Sequence, residues 1–200
     1  MIRILLIRHG NTDPLGRVLY GRMPGIHLNA EGINQAQSVG RILKERYRLS
    51  EVISSPMERT LETAKYIADA QGLNITTDAG INEIDFGSWM GKSFEELRER
   101  DDWRRYNDSR STAWPPGGES MLEVQARAYR TLEAVMKRFQ DQENPTVAAV
   151  SHGDVVRGLL LLLLGMPNDH IHRLEIAPAS VSEVLIGAGQ ARVINVNQLF

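Results

Sequence analysis

The stretch Ile2-Arg3-Ile4-Leu5-Leu6-Ile7-Arg8-His9-Gly10-Asn11-Thr12, residues 2–12, decides how the rest of the chain is read. Ile4 to Ile7 form an unbroken apolar run, the pattern of a strand buried on both faces. The run ends on a guanidinium, an imidazole and a glycine. In an open α/β sheet the carboxyl ends of the parallel strands face the ligand crevice, and a glycine there lets the backbone come close to a bound group. The pairing therefore suggests an anion site with a nucleophile inside it. Taken alone, the tripeptide is also what a packed or capping histidine would leave in a sequence.

Working outward, the periodicity predicts a helix over Ala30 to Tyr47, a short strand over Glu51 to Ser54, and a helix opened by Pro56 and ended by Gly72. A third strand is expected at Ile75 to Thr77. The segment from about 81 to 118, rich in Gly, Trp, Asp and Arg, has no sustained period and reads as a lid, with Trp89, Trp103 and Trp114 packing it. Glu119 to Gln140 is helical in pattern, and Asn144-Pro145 breaks it before a buried strand, Thr146 to Val150. That strand runs into Ser151-His152-Gly153. A core helix follows through the leucine run, and Val181 to Ile186 with Arg192 to Val196 form a hairpin around Gly187-Ala188-Gly189. Strands alternating with helices predict a three-layer α/β/α sandwich whose sheet is mostly parallel with an antiparallel edge.

Composition narrows the function classes. The 200 residues fit a single domain, 1–200, and 42% hydrophobic with 24% charged residues is ordinary for a globular protein. A net charge of -2 supplies no basic field for nucleic acid. There are no cysteines, which excludes disulfides, thiolate zinc sites and cysteine-nucleophile phosphatases. The leucine run is shorter than the ~20 residues of a membrane span, and the first strand begins at the start of the chain with no leader before it, so a cytoplasmic protein without a membrane partner is expected. His170 and His172 lack a third ligand signal and are read as loop residues, so no metal is expected. One sequence shows no heptad or patch that decides on a homo-oligomer.

Two strands, ending at Ile7 and Val150, each run into a His-Gly pair on one sheet edge, and Arg59 lies in the first turns of a helix that also follows a strand. Helix N-termini offer unpaired N–H groups and a positive dipole end, so an arginine there extends an anion cradle. Arg8 and Arg59 could grip phosphate oxygens bidentately.

With these residues assembled, the chain resembles the histidine phosphatase superfamily, the phosphoglycerate-mutase-like group. Arg8-His9-Gly10, Ser151-His152-Gly153, the Ser-Ser-Pro-x-x-Arg-Thr-x-x-Thr run from Ser54 to Thr63, and the Glu-x-x-Phe-Gly-x-Trp-x-Gly run from Glu83 to Gly91 carry the resemblance. It implies a phosphoglycerate-mutase-like fold and phosphoryl transfer without cofactor or metal. His9 would be the nucleophile and Glu83 the acid. Arg8, Arg59 and His152, with Gly153, would line the phosphate pocket. The implied activity is hydrolysis of a small phosphorylated metabolite through a phosphohistidine. The alternatives are a cofactor-dependent phosphoglycerate mutase or related phosphomutase, and a non-catalytic phosphate-binding domain. Chemically, cationic neighbours should depress the His9 pKa, whereas Glu83 must be raised to serve as an acid, a push that bound phosphate would supply.

The chain departs from the family's pattern at three places. Asn11 stands where glutamate is common, Met90 replaces a glutamate, and Leu15-Gly16 replaces a Trp-Asn whose asparagine helps hold phosphate. That job is either absent or passed to Asn11. Arg22, in the variable-looking loop from Tyr20 to Asn29, is a candidate contact for an anionic substrate, and an ordinary exposed arginine explains it equally. Asp85 lies on the same side of its segment as Glu83 without being assigned a role.

Overall fold

The computed structural model describes every residue except Ala188, so that part of the expected hairpin turn lies outside the described residues. Six strands, β1 (Ile2–Arg8), β2 (Glu51–Ser54), β3 (Ile75–Thr77), β4 (Thr146–Ser151), β5 (Val181–Gly187) and β6 (Gln190–Gln198), form one sheet in the order β3-β2-β4-β1-β5-β6. The first four in that order are parallel neighbours, and β5 joins β1 antiparallel with β6 antiparallel beyond it. Four longer helices cover the sheet: α1 (Ala30–Arg46), α2 (Glu58–Gln71), α5 (Met121–Arg138) and α6 (Gly153–Leu164).

The layers follow from the two-residue period of a strand. Ile4 and Leu6 of β1, with Val147 and Ala149 of β4, belong to the core that holds Val124, Ala128 and Leu132 of α5 and Val155 and Leu159 of α6. Leu5 and Ile7, with Ala148 and Val150, pack instead with Val39 and Leu43 of α1 and Ala64 and Ile67 of α2. The apolar run that opens the chain is continuous because both of its faces are covered.

Register then gathers the motifs. Arg8 pairs with Ser151 across β1 and β4, and Ser54 pairs with Val150 across β2 and β4. Three strand ends therefore deliver His9, Ser55 and His152 to one edge, where α2 and α6 begin.

Several boundaries differ from the sequence reading. Pro56 precedes the Met57 cap rather than lying in the first helical turn, and α5 starts at Met121 because Ser120 and Glu123 form a capping box. The segment expected to be irregular contains two short helices, α3 (Phe94–Arg98) and α4 (Asp101–Asp108). Trp89 is fully buried there and Trp103 meets it edge-on at 5.3 Å, but Trp114 is 58% exposed and packs nothing comparable. The leucine run is also less uniform than a core helix, because Leu162 and Leu164 are exposed while Leu159 to Leu161 are buried. No helix among the described residues is long and apolar enough to cross a membrane.

Gly10 has a different reason from the one its position suggests. A Cβ there would lie 2.6 Å from the carbonyl oxygen of Gly32 in α1, and one on Gly32 would lie 2.1 Å from the Asn11 carbonyl. The two glycines let the turn after β1 seat directly on α1. The close approach that this pair permits is between two backbones.

Candidate active site

His9 is buried at the head of this turn, its backbone N–H donating to the Ser151 carbonyl and its own carbonyl accepting from Ala179. Its Nδ1 lies 2.7 Å from the Gly10 carbonyl oxygen. A carbonyl can only accept, so Nδ1 carries the proton and Nε2 presents a lone pair. Burial first, and then the charges of Arg59 and Arg8, hold the imidazole pKa well below its ordinary value. The Gly10 N–H is taken by Thr63 Oγ1 at 3.0 Å, a partner supplied by the last residue of the Ser54 to Thr63 motif.

Two arginines lie near enough to His9 to lower its pKa. Arg59 is fully buried: its Nη2 donates to the Gly21 carbonyl at 2.7 Å, and its guanidinium lies 4.8 Å over the Tyr20 ring. Arg8 donates from Nη1 to the Ile176 carbonyl at 2.6 Å. Its guanidinium lies against the first turn of α6, where a Cβ on Gly153 would approach Arg8 Nε to 3.3 Å. Arg8 Nε, Arg59 Nε and Arg59 Nη1 are buried donors with no acceptor among the described residues. A buried unpaired charge costs several kcal/mol unless an anion meets it, and α6 adds unpaired first-turn N–H groups on the same side.

His152 sits beside His9, the ring centroids 5.4 Å apart. Its Nδ1 is 3.1 Å from Arg59 Nη2 and its Nε2 is 2.7 Å from Ser55 Oγ. A guanidinium only donates, so Nδ1 accepts and Nε2–H donates to Ser55, which passes its own proton to Asn82 Oδ1 at 3.2 Å. Both nitrogens of His152 are therefore engaged by the protein, and the ring fixes Arg59. Burial and the Arg59 charge keep it neutral.

Glu83 approaches from the other side, Oε2 3.7 Å from His152 Nδ1, with its side chain only 12% exposed. Burial, and after it the Asp154 carboxylate, push its carboxyl up to about 7 against the pull of Arg59. The push expected from bound phosphate thus already exists in the protein. Asp154 itself would be raised by burial, but Arg110 and Arg157 outweigh that and bring it down to about 2.

The backbone of Glu83 is held by residues the sequence reading passed over or read differently. Arg127 of α5 donates to the carbonyls of Gly80, Asn82 and Glu83 at 2.8, 2.6 and 2.9 Å and pairs with Glu119 at 3.0 Å. Arg22, a candidate substrate contact, is turned instead toward the Glu83 carbonyl at 2.7 Å and Glu119 at 2.6 Å. Asn11 is also drawn away: its Nδ2 donates to Glu31 at 2.6 Å and its Oδ1 accepts from the Thr12 N–H at 2.8 Å. Nothing in its placement takes up the role of the missing Trp-Asn. Asp85 Oδ1 caps the Gly87 N–H at 2.9 Å, a turn contact. Among the described residues no group of three or more His, Cys, Asp or Glu is arranged to hold a metal.

The arrangement offers a neutral imidazole lone pair, unmet guanidinium donors around it, and a carboxyl that is half protonated near neutrality. That is the equipment for moving a phosphoryl group to nitrogen while protonating the departing oxygen. Comparison with known proteins points the same way. A model of the histidine phosphatase superfamily (branch 1) matches residues 4–199. The bifunctional protein Rv2228c of Mycobacterium tuberculosis is 34% identical over 198 residues, covering 96% of this chain, although the chain spans only 53% of that protein's length. Phosphoserine phosphatase 1 of Hydrogenobacter thermophilus is 35% identical over 170 residues, 83% of this chain and 78% of that protein. YhfR of Bacillus stearothermophilus superposes with a TM-score of 0.91 at 26% identity, covering 100% of this chain and 98% of its own.

Proposed function

Because the chain belongs to the histidine phosphatase superfamily (branch 1), we propose that it hydrolyses a small phosphorylated metabolite through a phosphohistidine on His9. The observation that carries this reading is the set of buried, unpaired donors Arg8 Nε, Arg59 Nε and Arg59 Nη1 around a histidine whose Nε2 lone pair is free. In the first step Nε2 attacks phosphorus and the ester P–O bond breaks. Glu83 gives its proton to the departing alkoxide, and the arginines take the charge spread over the equatorial oxygens. In the second step the Glu83 carboxylate removes a proton from water as that water attacks phosphorus, which releases inorganic phosphate and restores neutral His9. Gly153, at the first turn of α6, keeps the approach to Arg8 clear of a side chain.

We place the reaction in the cytoplasm and read 1–200 as one domain whose 81–118 segment covers the site. Incubation with a 32P-labelled phosphomonoester should trap an acid-labile, alkali-stable phosphoenzyme that is absent in His9→Ala. Active protein that never yields this species would overturn the covalent route. Release of inorganic phosphate, as against transfer to a second metabolite, separates hydrolysis from mutase chemistry.

A further inference from the structure

Beyond the phosphate end the site opens into a cavity of about 300 Å³ whose wall includes Arg8, Glu83 and Gly153 but not His9, Arg59 or His152. If Glu83 protonates the departing oxygen, the part of the substrate that enters this cavity is the leaving alcohol. The volume lies at the lower end of the range that accommodates drug-sized ligands. A three-carbon hydroxy or amino acid would fill little of it.

One wall is apolar and aromatic, built from Val18, Leu19, Phe86, Phe94 and Trp103. Phe94 of α3 and Trp103 of α4 are 6.0 Å apart and tilted by 54°, with Trp103 braced edge-on by buried Trp89. Both remain only partly buried while Trp89 beneath them is fully buried, so ring surface is left facing the cavity. The polar lining is largely paired within itself, although Arg110 Nε is a buried donor without an acceptor among the described residues. Asp154 accepts from Arg110 Nη1 at 3.1 Å and from Arg157 Nη1 at 2.9 Å. Arg110 further donates to Asn107 Oδ1 at 3.3 Å and stacks 3.8 Å over the Tyr106 ring, and Arg157 Nε donates to the Leu174 carbonyl at 2.9 Å. The Asp154 carboxylate thus occupies the position between two arginines that a substrate carboxylate would need. Its own charge repels one.

Resting on the phosphatase reading above, we infer that the chain selects phosphomonoesters whose alcohol carries an apolar ring, over phosphorylated amino or hydroxy acids. Phe94 and Trp103 are the specificity-determining residues. The ring lies on their exposed faces while the ester oxygen stays beside Glu83. Aromatic pairs prefer tilted or offset contacts, which the 54° arrangement presents to a planar guest.

The test is kcat/KM of the wild-type protein on 2-phenylethyl phosphate, ethyl phosphate, O-phosphoserine and 3-phosphoglycerate, all esters of alkyl alcohols. Burial of one phenyl ring should raise kcat/KM of the phenylethyl ester over the ethyl ester by roughly tenfold to a hundredfold, and the two acids should fall below it. Phe94→Ala should bring the phenylethyl-to-ethyl ratio toward one. Trp103→Leu provides a second reading of the same ratio if the first variant folds poorly, because the ratio does not depend on the fraction of active protein. A wild-type ratio near one, or faster turnover of either acid, would overturn the inference and leave the phosphatase reading standing. No His9-dependent turnover of any ester, p-nitrophenyl phosphate included, would overturn both.

Discussion

Glu83→Gln should make the protein less active and, above neutral pH, more stable. The carboxyl is 12% exposed and its pKa stands at about 7 against an ordinary 4.5. At about 1.4 kcal/mol per tenfold change in proton affinity, this difference is worth about 3 kcal/mol. Its sign follows from linkage. Between pH 4.5 and about 7 the folded chain keeps a proton that the unfolded chain has released, so stability falls as pH rises through that window. Below it the group costs nothing; above it the full cost of a buried carboxylate is present. Glutamine has nearly the same shape and does not titrate. Relative to wild type, Glu83→Gln should therefore gain about 3 kcal/mol at pH 8 and almost nothing from this source at pH 4.5. Urea unfolding of both proteins at pH 4.5, 6.5 and 8 measures the difference, and the contributions of His9 and His152 largely cancel in it. The same variant should lose more turnover on an alkyl phosphate than on p-nitrophenyl phosphate, whose leaving group needs less protonation. A stability difference that stays flat from pH 4.5 to 8 would refute the placement of a raised carboxyl here, whatever the activity showed.

Gly32→Ala should be destabilised by about 1–3 kcal/mol in thermal unfolding, because its Cβ would meet the Asn11 carbonyl oxygen at 2.1 Å and neither backbone can yield without moving the turn that carries His9. Ser55→Ala removes the acceptor of the His152 Nε2–H and should cost about 1–3 kcal/mol; the imidazole nitrogen shifts of His152 should report a changed tautomer or hydrogen bond, and unchanged shifts would dispose of the assignment. Arg127→Met leaves the Gly80 and Asn82 carbonyls without their donor and takes one donor each from the Glu83 carbonyl and Glu119, which keep Arg22. It should lower kcat on alkyl phosphates more than on p-nitrophenyl phosphate, since what is displaced is the acid rather than the phosphate grip.

The convergence of Arg8, His9, Arg59 and His152 on one edge was legible in the sequence because each piece is local. Arg8 ends a strand, and His9, Ser55 and Arg59, and His152 and Gly153 each follow one within a few residues, so parallel pairing of β1, β4 and β2 brings local signals to one edge. The parts that escaped depend on long-range contacts. Nothing near Arg127 in the sequence points to the carbonyls of residues 80 to 83, and nothing near Arg110 points to Asp154. The protein partners of Arg22 and Asn11, Glu119 and Glu31, were hidden for the same reason: they lie far along the chain or on another element. Trp114 failed as a packing residue because the lid-like stretch has no period from which an inward face can be read. Gly10 carries a requirement not visible locally, since a Cβ there would meet the backbone of Gly32, which lies on another element.

His9 and Glu83 need opposite departures from their ordinary proton affinities, and one physical cause drives both. Burial disfavours the charged form of either group, so it lowers the imidazole and raises the carboxyl, keeping His9 neutral and Glu83 partly protonated near neutral pH, as the proposed first step requires. The arginines do not share that symmetry. Their charge helps keep His9 unprotonated but pulls Glu83 toward ionisation, and a pocket built only from burial and guanidinium groups would weaken its own acid. Asp154 corrects the imbalance as the second-largest contribution to the raised Glu83 pKa. It can do so only because Arg110 and Arg157 hold it ionised, at about 2, despite its burial. The Arg110-Asp154-Arg157 cluster thus has two consequences from one geometry: it holds a negative charge near Glu83 and, on the proposed substrate preference, sets a carboxylate in the wall of the leaving-group cavity. Replacement of Asp154 would therefore change the protonation of Glu83 and the choice of alcohol together.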